Sequence, residues 1–155
     1  MDCFDTPWTT DFPVGMIGID LSRLRDVLST KPVRFTVGAE RAEFHLHEGL
    51  VSCLSAPLHA LANRAPAAHL HDVDAAVFSC FAQFVYSGHY NPETIADNHE
   101  FVDDRMRTQR NMLLQHAQLW VFAQTYHVEP LKRAAHMQLT NELIISMMSP
   151  VTFFR

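Results

Sequence analysis

A mostly helical α+β fold is predicted by three observations along the chain. Apolar and polar residues alternate over residues 33–37 and again over 43–46, the period of a strand. From Leu50 the leucines recur at spacings of four and three, through Leu54 and Leu58 to Leu61, the period of a helix. In the last third, Leu131, Ala135, Leu139, Leu143 and Met147 fall four apart, which again selects one helical face.

Taken in order, residues 1–18 read as an irregular N-terminal tail, broken by Pro7 and Pro13. From Asp20, Leu21, Leu24, Val27 and Leu28 make one apolar stripe opposite Arg23, Arg25 and Asp26, so a helix is expected until Lys31-Pro32 ends it. Val33, Phe35 and Val37 alternate with Arg34 and Thr36, and after a turn containing Gly38 the pattern resumes at Phe44 and Leu46, giving a hairpin with one apolar face. The leucine-rich stretch that follows is interrupted by Pro57, which fits the first turn of a second helix; two short helices are therefore expected to meet at Ser55. A short strand is predicted around residues 68–71. Asp74 is placed to cap a helix carrying Val77, Phe81, Phe84 and Val85, with Gly88 as its stop. Residues 89–111 are polar without a clear period and read as a long variable loop. Residues 112–127 are apolar on most of a helical circumference and are expected to be central, and a final helix follows Pro130. The main domain is set at 19–148, with a C-terminal tail at 149–155.

Composition narrows the function. The chain has 155 residues, enough for one domain that buries roughly two thirds of its unfolded surface without a disulfide or metal. Its formal net charge is −5 and its Lys and Arg are scattered, which argues against a nucleic-acid surface. Cys3, Cys53 and Cys80 are an odd set without short spacing, so a disulfide framework is not expected and a reducing compartment, nucleus or cytoplasm, is. The acidic N-terminus is not a secretory signal, and no apolar run reaches the ~20 residues that cross a bilayer.

Catalysis finds no support. Cys53 and Cys80 fall in apolar helical surroundings, where a thiol is an inert small hydrophobe. There is no Gly-rich phosphate loop, nucleophile elbow or pair of carboxylates in an apolar frame. Two histidine pairs, His45 with His47 and His69 with His71, would bind zinc only if the fold brought them together with a further ligand. The reading adopted is that they are not a metal site; no catalytic, cofactor or metal residue is assigned.

Several spaced stretches resemble the BTB/POZ family. Phe44-His45-Leu46-His47, followed by Leu50, Ser52 and Ser55-Ala56-Pro57-Leu58, is similar to its passage from second strand to helix pair. Leu70-His71-Asp72-Val73-Asp74, then Phe78, Phe84 and Val85-Tyr86-Ser87-Gly88, resembles its Leu-x-Asp…Phe…Tyr-Thr-Gly block. His116-Ala117, Leu119, Val121, Ala123, Tyr126, Leu131-Lys132 and Ala135 resemble a further block. Leu58 stands where the family usually has Phe, and Ser87 replaces Thr. The resemblance implies a small sheet capping a cluster of helical hairpins, with His47 closing the strand–helix junction by hydrogen bonds. It also implies a homodimer in which Leu21, Leu24, Val27 and Leu28 meet apolar residues of the second copy such as Leu50 and Leu54. Ile95-Ala96-Asp97 resembles the hydrophobic-x-acidic triplet with which relatives dock a cullin scaffold of ubiquitin ligases, making Ile95 and Asp97 candidate partner contacts. The function expected is a self-associating adaptor to a cullin-RING ligase. The alternative is a transcriptional scaffold recruiting corepressor peptides. Neither involves nucleic acid or membrane directly.

Overall fold

A computed structural model describes residues 21–64, 67–92 and 105–148, with side chains from residue 25 in the first helix and from residue 108 in the fifth. Helix α1 (Leu21–Leu28) leads into strands β1 (Pro32–Val37) and β2 (Ala42–His47), then helices α2 (Glu48–Leu54) and α3 (Ala56–Arg64). Strand β3 (Ala68–Leu70), helix α4 (Ala75–Ser87), helix α5 (Arg105–Thr125) and helix α6 (Glu129–Met148) complete the described chain. It is an α+β arrangement, mostly helical, with one small mixed sheet.

The sheet has the order β2-β1-β3: β1 pairs antiparallel with β2 and parallel with β3. In the hairpin Val33 faces Leu46 and Phe35 faces Phe44, so the alternation read in each strand lands on the same inner face. Gly38 takes the left-handed conformation the turn needs, and its N–H donates to Leu70 O, tying the hairpin turn to β3. Against that inner face lie α2, α3 and the apolar side of α4. Phe35, Phe78, Phe81, Leu50, Leu58 and Leu131 are among the largest fully buried side chains.

Local chemistry sets the junctions. The first-turn N–H groups of α2 are not met by a side chain at its cap, His47. Lys31 O accepts from the Glu48 N–H instead, and Thr30 Oγ1 accepts from the Gly49 N–H at 2.9 Å. The end of α1 therefore caps α2. The approach is close: a Cβ at Gly49 would stand 3.1 Å from Val27 O and from Thr30 Cγ2. Ser55 separates α2 from α3 as predicted, and Pro57 occupies the first turn of α3. Asp74 Oδ1 accepts from the Ala76 N–H at 2.7 Å, and Gly88 ends α4 at φ 77° with its N–H on Phe84 O.

Three expectations change. The polar connection ends earlier than residue 111, because α5 already begins at Arg105. Its first two turns are mostly Arg, Met and Gln, good helix formers that give no apolar period to read. Helix α5 is not buried all round either. His116, Leu119, Phe122 and Ala123 face the core, whereas Leu114 and Val121 are more than half exposed. On α6 only Leu131 and Ala135 of the four-spaced stripe are buried, Leu143 and Met147 being exposed, because α6 outruns the layer it covers. No described helix is long and apolar enough to cross a membrane.

Candidate protein interaction surfaces

The α1 stripe divides in two. Val27 is half-buried and packed against the core, while Leu28 is 41 % exposed. Leu21 and Leu24 belong to α1, but their side chains lie outside those described. Thr30, which caps α2, holds this helix on its own domain and leaves Leu28 facing away. Leu50 and Leu54, expected to meet a second copy, are 2 % and 4 % exposed within the chain's own core. Their four-residue spacing marks the inner face of α2, and spacing alone does not distinguish a core face from an interface. On this side Leu28 is the large apolar side chain left exposed among those described. Ile95 and Asp97 lie outside the described residues.

The histidines separate into roles. His47 sits at the end of β2, and its backbone N–H donates to the Tyr86 hydroxyl at 3.3 Å. The same hydroxyl lies 2.8 Å from His47 Nδ1, so the strand end is fastened to α4 through one phenol hydrogen-bonded to both groups. His45 and His69 lie on the outer face of the sheet with β1 between them, the first opposite Arg34 and the second opposite Thr36. Two strand spacings separate their backbones by roughly 10 Å. His69 and His71 stack with ring centroids 5.8 Å apart. Among the described residues no group of three or more His, Cys, Asp or Glu is arranged to hold a metal.

Among the described histidines, His116 is the buried one. At 2 % exposure on α5, its Nδ1 lies 2.7 Å from the Tyr90 hydroxyl, which joins the chain after α4 to α5. Burial lowers the His116 pKa, against an opposing pull from Glu142 of α6. The lowered pKa favours the neutral imidazole, whose Nδ1 is hydrogen-bonded to the phenol. Burial, followed by Cys80 of α4, raises the Tyr90 phenol, and burial alone pushes the Cys80 thiol up to about 11. That thiol stays protonated at neutral pH and is a poor nucleophile.

A pH dependence follows with a definite sign. A histidine whose folded pKa is depressed takes up protons more readily when unfolded, so stability rises with pH. The contribution is complete above the unfolded value of about 6.5 and declines as pH falls from there toward the lowered folded value. The melting temperature should drop between pH 7 and 5, and His116→Gln should show a shallower drop. Equal slopes in wild type and variant would dismiss His116 as the cause.

Among the described residues two apolar surfaces remain on the outside. The second half of α6 exposes Leu143, Ile144, Ile145, Met147 and Met148. On the opposite wall of α5, Leu114 and Val121 border a groove of about 560 Å³ against the β3–α4 turn. Both escaped the sequence reading, because four-residue spacing predicts helix faces without saying which one the fold covers.

The chain matches no protein-family model and no curated protein sequence.

Proposed function

We propose that this chain is a protein–protein interaction module of the BTB/POZ type that associates with a second copy of itself. The observation that carries the reading is where the family-like residues sit. His47 fastens β2 to α4, Ser55 joins the α2–α3 junction to the end of α5, and Gly88 stops α4. The residues that prompted the resemblance are thus the ones that hold these elements in place. The order of elements, with a hairpin whose first strand also pairs in parallel after a helical crossover, is compatible with the same family. Self-association is supported by Leu28, a large apolar side chain held outward by a helix that the domain itself anchors. A stable contact of this kind buries ~1,600 Å² in total, so Leu28 would act with its neighbours. On the family's pattern a cullin scaffold is the second partner, reached through Ile95 and Asp97.

Light scattering after size exclusion tests the first step. Wild type is expected at twice the chain mass of 17.7 kDa, and Leu28→Asp at the single mass with an unchanged circular dichroism spectrum. A wild type that stays at the single mass at micromolar concentration ends the self-association reading.

A further inference from the structure

The groove beside α5 has a chemical direction. One wall is the β3–α4 turn and the start of α4, with Asp72, Val73, Asp74 and Val77; the other is α5, with Leu114, Val121 and Phe122. Leu114 and Val121 are two turns apart on one face, ~10 Å along the axis, and both are more than half exposed. The apolar part thus accepts two side chains at that separation.

The far end is negative. Tyr126 and Asp72 share that end: burial first, and then the Asp72 carboxylate, raise the Tyr126 phenol. Asp72 is exposed, and Asp74, although it caps α4, adds a second carboxylate. Helix α5 ends here as well, and the negative end of its dipole offsets the positive end of α4, leaving the two carboxylates to set the sign. None of the described residues lining the groove is Lys or Arg.

The chain's own remaining segments fit poorly. Residues 1–20 carry Asp2, Asp5, Asp11 and Asp20 without a Lys or Arg. Residues 93–104 carry Glu93, Asp97, Glu100, Asp103 and Asp104, also without one. Residues 149–155 do end in Phe153-Phe154-Arg155. However, the short α5–α6 connection makes those helices antiparallel, which puts Met148 a full 20-residue helix, ~30 Å, from the Asp72 end. Seven extended residues span at most ~25 Å, so only a fully stretched tail with its Arg155 side chain extended would bring a cation to Asp72.

We propose that this groove docks a peptide segment of another protein, with two apolar anchors against Val77, Leu114 and Val121 and a lysine or arginine at the Asp72–Asp74 end. Burying the anchors gives affinity, and the carboxylates fix which way the peptide runs. The surface is separate from Leu28, so it stands whether or not the chain self-associates.

A random 12-residue phage-displayed library, selected on the whole protein, supplies the probe. The peptide matching the selected consensus is then labelled and followed by fluorescence anisotropy. The expected consensus holds two apolar residues and a Lys or Arg. Its affinity should fall ~10-fold on Asp72→Lys and with added salt, and by at least as much on Val121→Glu. Both positions are exposed, so melting curves should not move. No consensus, a consensus without a basic residue, or binding indifferent to both variants overturns the proposal. So does saturable competition by a peptide copying residues 149–155, which would assign the groove to the chain's own end. A wild-type dimer dissociated by Val121→Glu would assign it to a second copy and likewise overturn it.

Discussion

Replacing Phe78 by alanine is expected to lower the free energy of unfolding by ~3–5 kcal/mol, read from urea denaturation. Phe78 is fully buried on α4, and its ring lies 5.2 Å from that of Phe35, 4.9 Å from Phe44, 5.4 Å from Phe81 and 6.1 Å from Phe122, centroid to centroid. It therefore joins both strands of the hairpin to α4 and α5. Alanine removes the transfer energy of the ring and leaves a cavity that four other rings, each fixed on its own element, fill only in part. Domains are commonly stable by about 5–15 kcal/mol, so one such change takes a large share of the total. Phe78→Leu keeps most of the volume and should lose clearly less. A loss under about 1 kcal/mol for alanine would mean that the cluster repacks and that the sheet is not held through this residue.

Ser55→Ala should cost ~2–4 kcal/mol by the same measurement, although it deletes a single oxygen. The Ser55 hydroxyl, 1 % exposed, donates to Tyr126 O at 2.6 Å and accepts from the Leu58 N–H at 3.1 Å. One atom thereby caps α3 and satisfies a carbonyl at the end of α5, 71 residues away in sequence. Alanine leaves a largely buried donor and acceptor without their partner, and such groups cost more to strand than their bond contributes when made. Ser52 provides the control. It is exposed, its hydroxyl reaches only Gly49 O in its own helix, and Ser52→Ala should change stability by less than about 0.5 kcal/mol. Similar losses at the two serines would dismiss the bridging role of Ser55.

Much of this fold was legible because local rules and global placement agree. Alternation over residues 33–37 and 43–46 gave the hairpin, Pro57 gave the break at Ser55, and Asp74 and Gly88 gave both ends of α4. What could not be read was depth. Leu28, Leu54 and Leu143 look alike in sequence, yet Leu54 is buried while the other two are 41 % and 46 % exposed. Helical periodicity reports that a face is apolar, and only the neighbouring elements decide whether that face is covered. The groove was hidden for the same reason: Asp72 and Val121 are 49 positions apart and become neighbours through the course of α4 and α5. Tyr90 left no sequence signal, and although His116 falls in a family-like block, nothing in that block points to the Tyr90 hydroxyl as its partner.

The mixed sheet carries a consequence for assembly. The β1–β2 hairpin closes over four residues, whereas Phe35 meets Ala68 only after the α2–α3 crossover. The longer closure costs ~2 kcal/mol more chain entropy, recovered only once those helices have formed. Loop closure alone thus favours the hairpin before the third strand, and while that strand is unpaired β1 offers a row of open amides and carbonyls to any passing extended chain. A nascent polypeptide halted before residue 68 would hold that sticky margin for as long as synthesis took to resume.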